Sequence, residues 1–268
     1  MGMLDGKQGL IFGVANDRSY AAHIARSVLE EGGEAAFAHL PGEKNERRTR
    51  KAVEKLPGGG GDDPLLVPCD ASDDGQIGSA FAAYGERFGK LDFIVHSIAF
   101  ADREWLSPGV FHKTPREAYL SAVDISAYTL AAFAREGRGL MEKGGGASIV
   151  AMSYYGSEKI VPGYNVMGVA KAALESTARY LAGELGESNI RVNTISGGPL
   201  KTLASSAVGG IDSMLALAPK YAPLRRNVEG SDVGGCAAFL LSDYAAGVTA
   251  QNIYVDCGLS AMGGSSEG

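Results

Sequence analysis

The chain has 268 residues, of which 45% are hydrophobic and 21% charged, and its formal net charge is −6. This composition is typical of a globular protein with a large apolar core. The negative net charge argues against nucleic acid or an anionic membrane as the main partner.

Residues that would indicate a metal site or an oxidising compartment are few and scattered. The three cysteines, Cys69, Cys236 and Cys257, show no CxxC spacing, which indicates neither a disulfide framework nor a zinc site. The four histidines also lack ligand spacing, so no metal is expected. The N-terminus has no apolar secretory segment, and the apolar runs are too short to span a bilayer. We therefore expect a cytoplasmic protein without a membrane span.

Short apolar runs alternate with helical periodicity along the chain. In chain order, the sequence predicts a strand at 9–14, a helix at 20–31, a strand at 34–40, a helix at 43–56, a strand at 65–69, a helix at 73–88, a strand at 91–97, a helix at 115–142, a strand at 147–152, a helix at 164–185, a strand at 190–195, a helix at 231–241 and a strand at 252–255. Strands separated by helices favour parallel pairing with right-handed crossovers. We predict an α/β fold: one domain over 1–268, with a core at about 6–258, built on a doubly wound (Rossmann) sheet of about seven strands with helices on both faces.

The first strand ends in a turn that is suited to binding a phosphate. Gly13 follows the strand and would let the backbone approach a ligand closely. Ser19 can cap the next helix, whose dipole favours negative charge at that end. The turn lacks the G-x-G-x-x-G pattern, because Gly13 is its single glycine, and an ordinary helix-capping turn is the alternative interpretation.

The residues after the second and third strands bear on the adenosine half of a dinucleotide. The acidic residue that often binds the ribose is missing, and Leu40 stands in that region. No carboxylate there repels a 2′-phosphate, and Arg47 and Arg48 follow, so these residues leave the choice between NADH and NADPH open. Asp70, directly after the third strand, is placed either to accept a hydrogen bond from the adenine amino group or to cap the next helix.

The most specific chemical feature is the spacing of Tyr164 and Lys171. Seven residues on a helix are two turns with about 20° of slippage, so both side chains would project from one helix face. A lysine ammonium there can hold the hydroxyls of a nicotinamide ribose and lower the pKa of the phenol. The phenol can donate a hydrogen bond to a substrate oxygen that gains negative charge during hydride transfer. A solvated helix face is the alternative interpretation.

The Tyr-x6-Lys spacing in a doubly wound chain resembles the short-chain dehydrogenase/reductase superfamily. Ordinary members carry a serine thirteen residues before the tyrosine, where this chain has Ala151, and an Asn-Asn-Ala-Gly motif after the fourth strand, where it has His96-Ser-Ile-Ala-Phe100. A second tyrosine, Tyr154, lies ten residues before Tyr164. Several segments resemble the divergent branch formed by the enoyl-acyl-carrier-protein reductases: 13–19, 96–100, 124–128, 153–171, 191–204 and 223–226.

That resemblance implies NADH-dependent reduction of the trans-2 double bond of an enoyl thioester carried by acyl-carrier protein, a step of fatty acid elongation. Hydride would go to Cβ, Tyr164 would stabilise the enolate and Lys171 would hold the ribose. Tyr154 would line the substrate pocket as a further catalytic residue, with Ala101 and Met167 beside it. By the same resemblance, the cofactor would contact Gly13, Ala15, Ser19, Tyr20, Leu40, Asp70, Ala71, Ser97, Ile98, Ala99, Met152, Ser153, Lys171, Gly198, Pro199, Leu200, Lys201, Thr202, Leu203 and Ala204.

The segment at about 203–221 combines Gly209 and Gly210 with apolar residues, which suits a mobile lid over an acyl chain. A surface helix packed on the sheet is the alternative. The resemblance also implies a homotetramer. Two other functions stay open: a carbonyl or alcohol oxidoreductase of the same superfamily, and a dinucleotide-binding regulator without turnover.

Overall fold

The computed structural model describes residues 2–60, 63–201 and 211–263 of the chain. Within these ranges, seven parallel strands form one sheet in the order β3-β2-β1-β4-β5-β6-β7. The strands are β1 Gln8–Phe12, β2 Glu34–His39, β3 Leu66–Pro68, β4 Phe93–His96, β5 Ala147–Ser153, β6 Ile190–Gly197 and β7 Asn252–Val255.

Helices cover both faces of the sheet. Those with described bounds are α1 Tyr20–Glu30, α2 Glu43–Val53, α3 Asp74–Phe88, α4 Arg116–Val123, α5 Thr129–Lys143, α6 Val166–Leu185, α7 Ile211–Tyr221 and α8 Gly230–Leu241. The apolar cluster on one face takes buried residues from α1, α2 and α8, and the cluster on the other face takes them from α3, α5 and α6. The predicted doubly wound α/β fold is therefore confirmed.

The central strands are buried on both sides, which explains their continuous apolar runs. Leu10 and Phe12 of β1 belong to the cluster under α3, α5 and α6, whereas Ile11 between them belongs to the cluster under α1 and α8. In the first of these clusters, the ring of Phe12 stacks on Phe133 of α5 with 3.9 Å between ring centroids. Alternation along one strand thus ties the sheet to both helix layers.

The strand order creates the crevice that positions the site. The chain runs outward from β1 through β2 to β3 and then returns to β4, on the other side of β1. The connections after β1 and β4 therefore leave the sheet on opposite faces and open a crevice between them. Ligands of such sheets bind at this reversal, outside the carboxyl ends of the strands.

The long helix predicted at 115–142 is interrupted. A π-helical turn, Asp124–Tyr128, separates α4 from α5. Inside that turn, the buried Ser126 hydroxyl accepts a hydrogen bond from the Phe100 backbone N–H at 3.1 Å and lies 3.3 Å from the Phe100 carbonyl oxygen. Turns of this kind occur often at functional sites, and periodicity alone does not predict them.

The helix predicted to begin at Tyr164 begins at Val166 instead. Asn165, immediately before it, has φ 43° and ψ −120°, values that no α-helical residue adopts. Tyr164 therefore lies in the turn before α6. The expectation that Tyr164 and Lys171 share a helix face was wrong, because the backbone changes direction between them.

The described part of the chain also bears on the predictions about metals and membranes. None of its helices combines the length and apolar character needed to cross a bilayer. Across the same residues, no group of histidine, cysteine and carboxylate side chains is arranged to hold a metal ion. The three cysteines are unpaired, and burial raises the pKa of the Cys69 and Cys236 thiols to about 11.

Candidate active site

The turn after β1 meets the chain after β4 at very close range. Gly13 has φ +105°, and a Cβ atom there would lie 2.1 Å from the carbonyl oxygen of Ser97. Only glycine permits this approach. Farther along the turn, the buried Thr49 hydroxyl of α2 donates to the Val14 carbonyl at 3.0 Å, which fixes the turn from the other side.

The N-terminus of α1 is built to receive an anion. Ser19 is its N-cap: the hydroxyl accepts from the backbone N–H of Ala22 at 3.2 Å and donates to the Asn16 carbonyl at 2.9 Å. The first turn of α1 contains no acidic residue. The positive end of the helix dipole is therefore uncompensated, which suits a pyrophosphate. The predicted capping role of Ser19 is confirmed.

Tyr20 joins this turn to the loop after β6. Its hydroxyl donates a short hydrogen bond to the carbonyl oxygen of Gly198. A Cβ on Gly197 would lie 3.0 Å from the same hydroxyl, so the β6 backbone lies directly against the ring. Two predicted cofactor contacts from distant parts of the sequence, Tyr20 and Gly198, are thus held together.

At the adenosine end, Leu40 follows β2 with 56% of its surface exposed, and Arg47 and Arg48 are exposed on α2. Asp70 follows β3, and its carboxylate accepts from the Ser72 backbone N–H and hydroxyl. The N-cap of α3 is Asp73, which accepts from the backbone N–H groups of Gly75 and Gln76. The capping alternative for Asp70 was therefore wrong.

The two tyrosines predicted for catalysis lie together just past the end of β5. Their rings, Tyr154 and Tyr164, pack edge to face with 4.9 Å between centroids. The Tyr154 hydroxyl is 3.4 Å from the Met214 sulfur of α7. Burial raises the pKa of both phenols, and charge on neighbouring groups raises it further. Both side chains therefore keep their protons at neutral pH and can donate hydrogen bonds.

Lys171 reaches the same strand end from α6. Its Nζ donates to the Met152 carbonyl oxygen at 2.6 Å, and the side chain is buried. Burial lowers the pKa of Lys171 to about 8, and the nearby Glu175 carboxylate acts in the opposite direction. The expected lowering of the Tyr164 pKa by this ammonium is not found, because burial of the ring raises that pKa instead.

Comparison with known proteins agrees with this geometry. The family model described as enoyl-(acyl carrier protein) reductase matches residues 13–260. The enoyl-acyl-carrier-protein reductase (NADH) FabI of Synechocystis is 46% identical over 262 residues, which are 97% of this chain and 98% of that protein. The chain belongs to the enoyl-acyl-carrier-protein reductase family. The resemblance predicted from the motifs is thereby confirmed.

Solved structures of the same family have the same fold. The crystal structure of the Anaplasma phagocytophilum reductase in complex with NAD has a TM-score of 0.92 and 43% identity, and the match covers 99% of this chain and 98% of that one. The Bacillus cereus reductase, crystallised with NADP+ and indole naphthyridinone, has a TM-score of 0.93 and 42% identity, covering 98% and 100%.

The remaining predicted site residues lie at or near the carboxyl edge of the sheet, with one group outside the described ranges. Ala71 and Ile98 pack at the border of the α3 and α5 core, and Ala99 is exposed. Ala101 and Met167 join the cluster of Tyr154 and Tyr164. Predicted contacts that follow or end a strand are Ala15, Ser97, Met152, Ser153, Pro199, Leu200 and Lys201. Thr202, Leu203 and Ala204, with the predicted hinges Gly209 and Gly210, lie outside the described residues.

Sequence reasoning did not single out Asn165. Its side-chain amide donates to the carbonyl oxygens of Trp105 and Ser107, both at 2.7 Å. Between these two residues, Leu106 is buried in the apolar cluster that contains Tyr164. Asn165 therefore ties the loop after β4 to the residue next to Tyr164. An asparagine before a helix is too common a pattern to predict this.

Sequence reasoning also missed Glu175, a buried carboxylate of α6. It accepts hydrogen bonds from the hydroxyls of Ser153 and Ser157, on either side of Tyr154. A signal was present, because Glu175 lies four residues after Lys171 and so projects from the same helix face. An acidic residue on the buried face of an alanine-rich helix needs a partner.

Proposed function

We propose that this protein reduces the trans-2 double bond of enoyl thioesters carried by acyl-carrier protein, with NADH as hydride donor, during fatty acid elongation. The observation that supports it best is the packed pair of Tyr154, which is partly buried, and Tyr164, which is buried, beside Lys171 at the carboxyl end of β5, in a chain of this family. Relatives bear that activity and NADH in their names.

The residues at the crevice fit a dinucleotide. The glycine turn at Gly13 and the uncompensated N-terminus of α1 suit the pyrophosphate, and Asp70 and Leu40 would border the adenosine. Lys171 uses one N–H group on Met152, which leaves donors for the ribose hydroxyls. When bound, NADH would supply the hydride. The uncharged side chain of Leu40 would not repel a 2′-phosphate, and the Bacillus cereus reductase was crystallised with NADP+. NADPH is therefore the second cofactor to test.

The tyrosines would act on the substrate. Tyr164 retains its proton at neutral pH and would donate a hydrogen bond to the thioester oxygen, which gains negative charge when hydride reaches Cβ. Tyr154 would contact the thioester or the acyl chain from the adjacent side. The surrounding cluster is apolar, which suits an acyl chain. Its members include Ala101, Leu106, Ala122, Val161, Val166, Met167 and Met214.

The experiment that tests this proposal is the initial rate of NADH and NADPH oxidation on crotonyl thioester, run beside a panel of ketones and alcohols. Turnover of the thioester with little or none on the panel supports the proposal. Turnover of a ketone alone would make the protein a carbonyl reductase, and cofactor binding without turnover would make it a regulator; either result contradicts the proposal.

We also propose that the chain forms a homotetramer in the cytoplasm. Of the lid predicted at about 203–221, residues 203–210 lie outside the described part of the chain. Large apolar side chains are exposed on α4 and α6, Leu120 at 57% and Tyr180 at 80%, which favours burial against other copies. Light scattering coupled to size exclusion checks the assembly: a monomer at micromolar concentration contradicts it.

A further inference from the structure

Glu175 is a charged group buried beside the candidate active site. It is 5% exposed and lies on α6, one turn after Lys171. A buried carboxylate is costly unless hydrogen bonds satisfy it. Its Oε1 accepts from Ser153 at 2.5 Å and from Ser157 at 2.6 Å. Both hydrogen bonds are short and charge-assisted, and both donors belong to a single segment of the chain.

That segment carries Tyr154. Ser153 is the last residue of β5, and Ser157 ends the 3-10 turn Tyr155–Ser157, so the carboxylate holds both ends of a five-residue span. A Cβ on Gly156 would lie 2.5 Å from the Tyr164 ring, so the span rests directly on the second phenol. A shift of the span would displace both tyrosines.

The same helix face holds β5 at two successive residues. Lys171 donates to the Met152 carbonyl, and Glu175 accepts from the adjacent Ser153. Lys171 and Glu175 are four residues apart, the spacing at which opposite charges on a helix attract each other. The carboxylate therefore also favours the protonated form of Lys171 inside a buried site.

We propose that Glu175 is a positioning residue of the active site: its carboxylate anchors the Tyr154 segment through Ser153 and Ser157, and its charge maintains the ammonium of Lys171. This inference rests on the proposed function, because Tyr154 and Lys171 matter only if they meet substrate and cofactor. Glu175 itself needs no contact with either.

Three titratable groups that face this pair are neutral at pH 7. His96, at the end of β4, faces Lys171, and burial lowers the pKa of His96 to about 3. Tyr164 and Tyr254 of β7 face Glu175, and burial raises the pKa of each phenol. The carboxylates of Glu158 and Asp256 act on Tyr254, whereas among the described residues Glu175 is the carboxylate that acts on Lys171.

The test is the pH dependence of kcat/KM for NADH at saturating crotonyl thioester, which reports groups of the free enzyme. The wild-type profile should fall as Lys171 loses its proton near pH 8. Glu175→Gln should move that basic limb to lower pH by about one unit, because an opposite charge is removed. Glu184→Gln, the matched change at an exposed position of α6, should leave the limb unchanged.

Ser157→Ala separates anchoring from charge. This variant keeps the Glu175 carboxylate, so the basic limb of the pH profile should stay in place. KM for the thioester should rise about threefold to tenfold, because the Tyr154 segment loses roughly one hydrogen bond and is held less firmly. A Glu175→Gln profile that coincides with wild type, or a Glu184→Gln profile that moves equally, overturns the proposal. So does an unchanged KM in Ser157→Ala.

Two controls keep the result interpretable. If circular dichroism shows that Glu175→Gln does not fold, Glu175→Asp replaces it, because this change keeps the charge but moves it away from the two serines. The basic limb of the pH profile should then stay in place and KM for the thioester should rise. A Glu175→Asp enzyme with the wild-type limb and the wild-type KM overturns the proposal. If the wild type shows no thioester turnover, the proposed function fails by itself. Fluorescence titration of NADH against pH then tests the effect of Glu175 on Lys171 without turnover.

Discussion

Replacing Tyr164 by phenylalanine removes one hydroxyl and little else. Within the described part of the chain, that hydroxyl makes no hydrogen bond, and the ring is buried against Tyr154 and Gly156. The ring contacts survive in phenylalanine, so the free energy of unfolding should stay within about 0.5 kcal/mol of wild type. Loss of one preorganised donor to a developing oxyanion costs about 2.7–4 kcal/mol in the transition state. We therefore expect kcat to fall by about 100-fold to 1,000-fold.

The assay pairs steady-state kinetics on crotonyl thioester with NADH titration by fluorescence and urea unfolding. Affinity for NADH should be nearly unchanged, since Lys171 and the turn at Gly13 are intact. Tyr244→Phe, the same change at an exposed position between α8 and β7, serves as the control and should behave as wild type. A Tyr164→Phe enzyme that keeps more than a third of wild-type kcat would remove the hydroxyl from the chemistry.

Three further changes probe other parts of the site. Gly13→Ala brings a Cβ within 2.1 Å of the Ser97 carbonyl at a positive φ, so it should weaken NADH binding at least tenfold, about 1.4 kcal/mol, in a fluorescence titration; a change below twofold contradicts this. Lys171 has a pKa of about 8 when folded against 10.5 when unfolded, so the cost of burying its charge is fully present below pH 8 and is relieved as pH rises toward 10.5. Relative to Lys171→Met, wild type should therefore gain about 2 kcal/mol of unfolding free energy between pH 7.5 and 9.5. If the unfolding free energies of the two proteins change in parallel with pH, the lowered pKa of Lys171 is refuted. In urea unfolding, Asn165→Ala should be about 1 kcal/mol less stable than Asn165→Gly, because only glycine accepts the Asn165 backbone angles without strain. Both variants should raise KM for the thioester. Equal stability of the two variants argues against backbone strain at this position.

Most of the fold could be predicted from the sequence, because each strand of a parallel sheet is an apolar run and each crossover is a helix. The turns within and before helices were harder to predict. The helix predicted at 115–142 contains a π-helical turn, and inside it the Ser126 hydroxyl contacts Phe100, 26 residues away in the sequence. The helix predicted from Tyr164 begins two residues later because of the Asn165 backbone. Both differences come from single contacts or torsions that periodicity does not report.

The site was predictable where spacing reflects local structure. Ser19 before a helix is a pattern readable within one segment. The spacing of Tyr164 and Lys171 singled out two side chains that meet near the end of β5, although they do not share a helix face. The Tyr154 match came from a longer motif. The electrostatics were not predictable, since the pKa of Tyr164 depends on burial in the folded chain. Pairings across the sequence, such as Tyr20 with Gly198, require the three-dimensional structure.

The π-helical turn at Asp124–Tyr128 has a consequence for how this helix can vary. A π turn holds one residue more than an α turn, so removing a single amino acid there would restore regular winding. The helices α4 and α5 would then keep their relative orientation, and only the residues inside the turn would change direction. Ser126 would leave the Phe100 backbone, and the end of β4 would lose its support. A three-nucleotide deletion at this spot should therefore damage a loop that the deleted residue never touches.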